Sequence, residues 1–166
     1  MSSSIMLAED DFDFINENIA IGSIGVSMRG DVLEMFDCIL NVGIEEVYND
    51  LFNDEIYLHL DISDGNTPSF ASRFHKALNF LKDKTTCNKR ILVHCHAGIS
   101  RSVSIVLGYL CDINKITTAT ELINIFEDLS SKRKQAFPFQ GFVDYISKRH
   151  NIRSPKIGWK HDECVF

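Results

Sequence analysis

The segment ILVHCHAGISRSVSIVLGYL, residues 91–110, constrains this chain more than any other because two periodicities meet in it. It begins as an aliphatic run typical of a buried strand and ends as an apolar pattern typical of a buried helix. Between the two lies a short loop, residues 95–101, with a glycine near its centre. A strand, a loop and a helix in this order form the unit from which α/β domains are built, so the segment predicts that fold class.

The rest of the chain repeats this alternation. Strands are predicted for the segments NIAIGS, CILNV, EIYLHLDI and RILVH, and further helices for GDVLEMF, TPSFASRFHKALNFLKD, TTATELINIFEDL and FQGFVDYISKRH. In the longest helix we expect Thr67 to be the N-cap and Pro68 the first helical residue. The helix TTATELINIFEDL opens with the capping-box pair Thr118 and Glu121. This order predicts a single α/β domain with a largely parallel central sheet.

The composition excludes several classes of protein. With 166 residues, 45% of them hydrophobic and 24% charged, the chain fits one globular domain. No apolar run approaches the roughly 18 to 20 residues that span a bilayer, and the acidic start lacks the basic and apolar segments of a secretory signal. We therefore expect a cytoplasmic or nuclear monomer that acts away from membranes. Residues 13–150 would form the domain, between a flexible tail at residues 1–12 and a second tail at residues 151–166.

The net charge of −6 is unevenly distributed. Residues 1–64 contain fifteen acids against Arg29 alone, whereas residues 131–160 contain eight Lys or Arg against Asp144. The basic part could attract phosphorylated partners or could simply be a solvated face. No glycine-rich nucleotide loop and no basic stripe with interleaved aromatic residues supports nucleic-acid binding. The five cysteines include no C-x-x-C pair, which argues against a disulfide framework and a zinc site.

The loop at residues 95–101 has the composition of an anion site. Its backbone N–H groups can converge, Gly98 permits the backbone angles that such a curve requires, and the following helix adds the positive end of its dipole. We expect the loop to bind an oxyanion of about the size of phosphate. The same field stabilises a thiolate, so Cys95 is predicted to be ionised at neutral pH and able to attack phosphorus. The alternative for Cys95 is a buried packing cysteine at the end of a strand.

The neighbours of Cys95 fit roles in such chemistry. Arg101 carries a planar guanidinium that can hold two phosphate oxygens at once, which a lysine could not do. Ser102 can donate a hydrogen bond to the thiolate when it leaves in a second step, and His94 is expected to orient the loop rather than act as a base. A metal site at His94, Cys95 and His96 is disfavoured because alternate strand residues point to opposite faces.

The motif HCHAGISRS, residues 94–102, resembles the H-C-x-x-G-x-S/T-R-S loop of the cysteine-dependent protein phosphatases, and in particular their dual-specificity branch. The resemblance covers roughly residues 15–146. It implies a single-domain cysteine-phosphatase fold, with helices on both faces of a mixed, mostly parallel sheet, and a phosphocysteine intermediate formed without metal or cofactor. The phosphate-binding residues that it implies are Cys95, His96, Ala97, Gly98, Ile99, Ser100 and Arg101.

Hydrolysis of a phosphate ester also needs an acid that protonates the leaving oxygen. Two aspartates are candidates: Asp61 alternates with the apolar residues of the segment EIYLHLDI, whereas Asp64 lies in the solvent-reaching turn SDGNTP. We favour Asp64, because the dual-specificity family has an aspartate at a matching distance before its cysteine; the alternative for Asp64 is an ordinary turn former. Asn41 is expected either to anchor the phosphate loop or to be an ordinary asparagine at a strand end.

The loop sequence favours a phosphorylated protein as substrate. Phosphoinositide phosphatases with similar loops place lysines at the variable positions, which here are His96, Ala97 and Ile99, and related RNA triphosphatases carry Asn-Arg-Thr where this chain has SRS. Tyrosine-only phosphatases carry a Trp-Pro-Asp acid loop, but the only tryptophan here is Trp159. The resemblance therefore implies a shallow pocket that accepts phosphotyrosine as well as phosphoserine and phosphothreonine. The alternatives are an RNA 5′-end or phosphoinositide phosphatase, and a phosphoprotein-binding pseudophosphatase.

The chain also departs from the family pattern. The usual Pro-Asn-x-Gly-Phe motif appears as PFQGF, residues 138–142. An arginine that helps some members hold a second phosphate is replaced, in this alignment, by Leu129. Three basic residues of a longer loop could hold the second phosphate instead: Lys132, Arg133 and Lys134. The alternative is that these residues simply form a solvated turn. Cys38 and Cys111 could form a protective disulfide with Cys95, or could simply pack in the core.

Overall fold

Five strands form one mixed sheet in the computed structural model, which describes residues 11–47, 53 and 55–161. The strands are β1 (Phe12–Phe14), β2 (Ile19–Gly22), β3 (Cys38–Asn41), β4 (Tyr57–His59) and β5 (Ile91–His94). Their order across the sheet is β1-β2-β5-β3-β4. β1 pairs with β2 in antiparallel fashion, and the other neighbouring strands are parallel. The predicted α/β class with a mostly parallel mixed sheet is confirmed.

Helices cover both faces of this sheet. They are α1 (Ile24–Ser27), α2 (Gly30–Leu33), α3 (Thr67–Thr86), α4 (Arg101–Ile113), α5 (Ala119–Lys132) and α6 (Gln140–Arg149). Successive side chains of a strand point to opposite faces. Ile91 and Val93 of β5 accordingly join the large apolar cluster with α3 to α6, whereas Leu92 packs with Val26 and Val32 of the two short helices. None of the helices in the described part of the chain has both the length and the apolar composition that crossing a membrane requires.

The parallel strands bring their carboxyl ends to one edge of the sheet. β2, β5, β3 and β4 end there at Gly22, His94, Asn41 and His59, in that order across the sheet. The loop at residues 95–101 follows β5, which lies between β2 and β3. Ligands of open α/β sheets bind beyond the carboxyl ends of the strands. The fold therefore carries this loop at the edge where a ligand is expected.

The start of α3 differs by one residue from the prediction. Asn66, not Thr67, is the N-cap, and its side-chain oxygen accepts a hydrogen bond of 2.9 Å from the N–H of Ser69. Thr67 is the first helical residue, and Pro68 follows within the first turn, where its missing N–H would have had no partner in the helix. The prediction went wrong because Asn and Thr are both good N-caps and stand next to each other.

Two further elements test the predictions for local structure. The predicted strand EIYLHLDI is shorter than expected, because its register partners on β3 are limited to Tyr57–His59. Beyond them, Leu60 still donates to the carbonyl of Asn41 at 2.8 Å, and Leu60 and Ile62 are buried. The N-cap of α5 is confirmed at Thr118, whose hydroxyl accepts a 3.2 Å hydrogen bond from the N–H of Glu121. The carboxylate of Glu121 accepts in return from the N–H of Thr117 at 3.1 Å, one residue before the position expected for a capping box.

The ends of the domain extend further than the sequence indicated. Phe12 begins β1, although residues 1–12 were predicted to be a tail. At the other end, Trp159 is only 6% exposed and its backbone pairs with Phe139, although residues 151–166 were predicted to be a second tail. The outermost parts of both predicted tails, residues 1–10 and 162–166, lie outside the described residues.

Candidate active site

The sulfur of Cys95 lies within the curve of the 95–101 loop. The N–H of Gly98 donates to Sγ at 3.3 Å, and Oγ of Ser102 lies 3.3 Å from the same sulfur. α4 begins at Arg101 without an acidic residue in its first turn. The amide, the hydroxyl and the helix N-terminus all favour negative charge on the sulfur.

The tight curve of this loop depends on Gly98. Its φ angle is +69°, which confirms the predicted need for a glycine. A side chain at this position would collide with the Arg133 guanidinium and would lie 2.7 Å from the carbonyl oxygen of Gly22. The loop therefore sits directly against both β2 and the buried arginine behind it.

Arg133 holds the carbonyl side of the loop. Its side chain is completely buried, and it donates from Nε to the carbonyl of Gly98 at 3.0 Å and from Nη2 to that of Ala97 at 3.2 Å. The same guanidinium forms ion pairs of 2.9 Å with Asp13 and 3.0 Å with Asp11. With these carbonyls held behind the loop, the N–H groups can face the cleft.

This position overturns the hypothesis that Arg133 holds a second phosphate. A guanidinium with no solvent exposure and four acceptors cannot reach a ligand in the cleft. Lys132 is also engaged, because its ammonium group donates to the carbonyl of Ile15 at 2.9 Å. Lys134 is exposed. Arg133, one of the three basic residues proposed to replace the family's arginine, instead supports the loop from behind.

Arg101 connects the loop to the segment that carries the predicted acid. Its Nη1 donates to the carbonyl of Ile62 at 3.1 Å. Its Nε is buried and has no hydrogen-bond partner in the part of the chain that the structure describes. A buried N–H group without a partner is costly, so this position suits a ligand oxygen.

Asp64 is held in place by the loop itself. Its Oδ1 accepts a 2.8 Å hydrogen bond from the hydroxyl of Ser100 and a 3.0 Å bond from the N–H of Gly65. Both of these bonds use Oδ1, so Oδ2 is the oxygen that can carry a proton. Asp61, the other candidate, is paired with Arg73 at 3.0 Å, and that guanidinium lowers the pKa of Asp61. Asp61 therefore belongs to a surface ion pair.

A cleft of about 300 Å³ brings the predicted nucleophile and the predicted acid together. Its lining consists of Asp64, Cys95, His96, Ala97, Ile99, Ser100, Arg101 and Trp159. All of these except Trp159 were predicted from the sequence. Gly98 and Ser102 are not part of the lining, but both contact the sulfur.

His94 lies below the loop rather than in the cleft. Its side chain is fully buried, and Nδ1 lies 3.2 Å from the carbonyl oxygen of Cys95. Burial lowers the pKa of His94 to about 4, so the ring is neutral at pH 7 and Nδ1–H donates to that carbonyl. This geometry is compatible with an orienting role and unsuitable for a base.

Asn41 acts on a neighbouring loop. Its Oδ1 accepts from the N–H of Gly43 at 2.9 Å, and its Nδ2 donates to the carbonyl of Glu45 at 2.8 Å. Gly43 packs so closely on the nucleophile that an added Cβ would lie 3.3 Å from Cα of Cys95. Asn41 thus shapes the loop after β3, which in turn contacts Cys95, instead of bonding to residues 95–101 directly.

Two aromatic residues near the acid were missed by the sequence analysis. Oγ of Ser100 accepts hydrogen bonds from the N–H of Phe139 at 3.0 Å and from Nε1–H of Trp159 at 3.4 Å. A signal was available, since tryptophan is highly buried on average and seldom belongs in a solvated tail. The position of its burial could not be read from the sequence.

Cys38 and Cys111 are packing residues. Both are buried, and burial raises the pKa of both thiols, that of Cys111 to about 12. Such thiols are poor partners for a protective disulfide. Within residues 11–47, 53 and 55–161, no three His, Cys, Asp or Glu side chains are grouped as metal ligands would be.

Known proteins share this fold and this sequence pattern. The family profile described as "Dual specificity phosphatase, catalytic domain" matches residues 31–151. Dual specificity protein phosphatase 1-B of Xenopus laevis is 29% identical over 127 residues, which cover 76% of this chain and 33% of that protein. Dual specificity protein phosphatase PHS1 of Arabidopsis thaliana is 34% identical over 138 residues, which cover 78% of this chain and 14% of that protein.

A solved structure supports the same fold. The PTP-2 phosphatase of Cydia pomonella superposes with a TM-score of 0.69 at 24% identity, covering 83% of this chain and 89% of that one. The chain spans a third or less of the length of the two sequence relatives. With a profile that matches most of its length and a cysteine loop of the same pattern, this chain belongs to the dual-specificity phosphatase catalytic-domain family.

Proposed function

We propose that this domain hydrolyses phosphotyrosine and phosphoserine or phosphothreonine in proteins through a phosphocysteine intermediate. The observation that carries this proposal is one cleft that contains both the Cys95 sulfur, held by the amide of Gly98, and the Asp64 carboxyl, held by Ser100. The family of the chain supports the same activity.

In the first step, the thiolate of Cys95 attacks the phosphorus of the substrate. A sulfur–phosphorus bond forms while the bond from phosphorus to the substrate oxygen breaks. Asp64 gives the proton on Oδ2 to that departing oxygen, so the alcohol or phenol leaves in neutral form. The guanidinium of Arg101 and the loop amides stabilise the charge on the three remaining oxygens.

In the second step, a water molecule takes the place of the departed substrate. Asp64, now a carboxylate, accepts a proton from this water as its oxygen bonds to phosphorus. The sulfur–phosphorus bond breaks, and the hydroxyl of Ser102 donates to the departing thiolate. Phosphate leaves, and both Cys95 and Asp64 return to their starting protonation states.

The charges around the cleft favour a phosphorylated protein. Of the variable loop positions, His96 is exposed and lies 3.5 Å from the Glu45 carboxylate, while Ala97 and Ile99 carry no charge. A phosphoinositide or a triphosphate end needs additional cations for its additional phosphates, and an acidic side chain at this rim opposes them. Ile99 and Trp159 instead add apolar lining, which suits the side chain of a phosphorylated residue.

A substrate panel tests the function. The chain is incubated with a phosphotyrosine peptide, a phosphothreonine peptide, a phosphoinositide and triphosphate-ended RNA, and phosphate release is measured. We expect hydrolysis of both peptides. Release from the lipid or the RNA alone would replace the proposal with the corresponding phosphatase, and peptide binding without release would identify a pseudophosphatase.

Cys95→Ser should bind the peptides without turnover, and residual activity above about 1% contradicts the covalent route.

A second pair of variants tests the acid. Asp64→Asn should slow hydrolysis of the phosphotyrosine peptide by about 10² to 10⁴-fold, because a general acid contributes that much. The rate of the original chain should have a mildly acidic pH optimum, and Asp64→Asn should abolish the decline of the rate above that optimum. Asp61→Asn is the matched control and should leave both the rate and the pH profile unchanged, since Asp61 is paired with Arg73 at the surface. Equal losses in the two variants would move the acid role elsewhere.

A further inference from the structure

We propose that residues 158–161, here called the C-terminal strap, position the general acid of this chain. The strap lies against the acid turn, residues 63–66, and holds it through the side chains of Trp159 and His161. This inference rests on the proposed role of Asp64 as the acid. It assigns a positioning function to a segment that the sequence indicated as a tail.

The first contact of the strap acts through Ser100. The hydroxyl of Ser100 has one proton to donate and two lone pairs that accept. The N–H of Phe139 and Nε1–H of Trp159 both donate to this oxygen. Because its acceptor sites are occupied by these donors, the single proton is directed to Oδ1 of Asp64, at 2.8 Å. The indole of Trp159 thus helps to set the direction of the hydrogen bond that holds the acid.

The second contact of the strap is with the turn backbone. Nε2 of His161 lies 2.9 Å from the carbonyl oxygen of Gly65, and since a carbonyl only accepts, Nε2–H must donate. Gly65 has a φ angle of +74°, and an added Cβ would lie 2.6 Å from Cε1 of His161 and 3.2 Å from Cη2 of Trp159. The strap therefore covers the residue that immediately follows Asp64.

The strap itself is firmly seated on the domain. The N–H of Trp159 donates to the carbonyl of Pro138 at 2.9 Å, and the N–H of Gln140 donates to the carbonyl of Trp159 at 2.8 Å. The side-chain oxygen of Gln140 accepts from the N–H of Gly158 at 2.8 Å. Three hydrogen bonds thus fix the backbone of the strap beside the start of α6.

An aromatic contact adds to these hydrogen bonds at a position where the chain departs from the family pattern. Phe139 occupies the position of the usual asparagine, and it forms the N-cap of α6 without a side-chain hydrogen bond. Its ring instead packs on Trp159, with centroids 4.7 Å apart, and on His161, at 4.9 Å. At this position the chain thus has an aromatic contact with the strap in place of a side-chain cap on α6.

The acid turn needs such support. Asp64 is exposed, and it precedes a glycine, which permits many backbone conformations. A general acid contributes only when its proton lies within hydrogen-bond reach of the leaving oxygen. By contacting both Ser100 and Gly65, the strap restricts the turn to the conformation in which Asp64 faces the cleft.

The test compares two leaving groups. Phenyl phosphate, like phosphotyrosine, needs a proton on its departing oxygen, whereas 2,4-dinitrophenyl phosphate does not. We expect Trp159→Phe, which retains an aromatic ring without the Nε1–H, and His161→Ala to lower kcat/KM for phenyl phosphate by about threefold to tenfold, the effect of one lost hydrogen bond. The kcat/KM for 2,4-dinitrophenyl phosphate should be unchanged, because it covers only the steps up to loss of the leaving group and so excludes the later role of Asp64 as a base. Inhibition by tungstate, which binds the loop, should also be unchanged.

Matched variants separate positioning from general damage. Lys160→Ala changes the exposed residue between the two contacts and should behave as the original chain, and His161→Gln, whose amide can donate to Gly65, should restore the rate. Asp64→Asn is measured in parallel. If Asp64→Asn shows no dependence on the leaving group, the proposed acid itself is wrong. If Asp64→Asn does but the strap variants slow both substrates equally, or neither, the inference about the strap is overturned.

Discussion

At the scale of single residues, Ser102 distinguishes the two chemical steps. Its hydroxyl lies 3.3 Å from Sγ of Cys95, where it can donate to the thiolate that departs in the second step. A hydrogen bond to a charged group is worth about 1.5 to 3 kcal/mol, so Ser102→Ala should slow that step by about ten- to a hundredfold. The phosphocysteine then accumulates, and rapid mixing with p-nitrophenyl phosphate should show a burst of nitrophenol.

The control for this variant is Ser104→Ala. The hydroxyl of Ser104 donates to the carbonyl of Ser100 rather than to the sulfur, so its removal should not produce a burst. A slower steady rate of Ser102→Ala without a burst would show that the hydroxyl acts before the intermediate forms.

Arg133 is the residue whose structural role differs most from its predicted one. Arg133→Met leaves the loop carbonyls of Gly98 and Ala97 without their donor, and a buried polar group that loses its partner costs about 1 to 3 kcal/mol. The carboxylates of Asp11 and Asp13 are partly exposed, so water can replace part of their ion pairs. Urea unfolding should show this loss. Lys134→Met, which changes the exposed neighbour, should alter the free energy of unfolding by less than about 0.5 kcal/mol. Unchanged stability of Arg133→Met, with weaker binding of doubly phosphorylated peptides alone, would restore the second-phosphate hypothesis.

At the scale of elements, the N-cap of α3 connects the helix with the acid turn. Asn66 is both the last residue of that turn and the acceptor for the N–H of Ser69. Asn66→Ala should cost about 1 kcal/mol, which in a domain of this size lowers the melting temperature by about 2 to 4 °C. Thr67→Ala should change it less. A larger loss for Thr67→Ala would return the cap to the residue that the sequence favoured.

The elements that were predicted correctly are those with strong periodicity. β5, the 95–101 loop and α4 were identified because a buried strand and a buried helix leave long apolar signals on either side of a glycine-containing loop. β1 and α1 contain only three and four residues, too few for either period to emerge. β4 was predicted too long because Leu60 and Ile62 continue its alternation, although the last backbone hydrogen bond to β3 is that from the N–H of Leu60 to the carbonyl of Asn41.

At the scale of the whole molecule, the contacts that complete the site join residues far apart in sequence. The hydrogen bond from His161 to Gly65 spans 96 positions, and that from Arg133 to Asp13 spans 120. Periodicity and capping patterns concern residues within a few turns of each other, so they cannot reveal such pairs. The nucleophile and its loop were predictable because their chemistry is local, whereas the strap and the buried arginine depend on the folded sheet.

Burial of His94 should make the stability of the whole domain depend on pH. Its pKa is lowered to about 4, from 6.5, because the charged ring would lose its hydration. Between these two pH values, His94 is protonated in the unfolded chain and neutral in the folded chain. The free energy of unfolding therefore decreases as the pH falls from 6.5 to 4, and this group does not affect it above pH 6.5. A tenfold difference in proton affinity is worth about 1.4 kcal/mol, so the full loss is about 3 kcal/mol.

Urea unfolding between pH 7.5 and 4.5 measures this dependence. His150, whose pKa is also lowered by burial, changes the free energy of unfolding in the same direction. The contribution of His94 is therefore the difference in pH dependence between the original chain and His94→Asn. The variant should show the shallower dependence. An NMR titration of the unaltered chain provides a measurement that does not depend on how the variant folds: the His94 ring should remain neutral at pH 5. A ring that titrates near 6.5, or equal slopes in the two unfolding series, would contradict the assignment of His94 as a buried neutral donor to the loop.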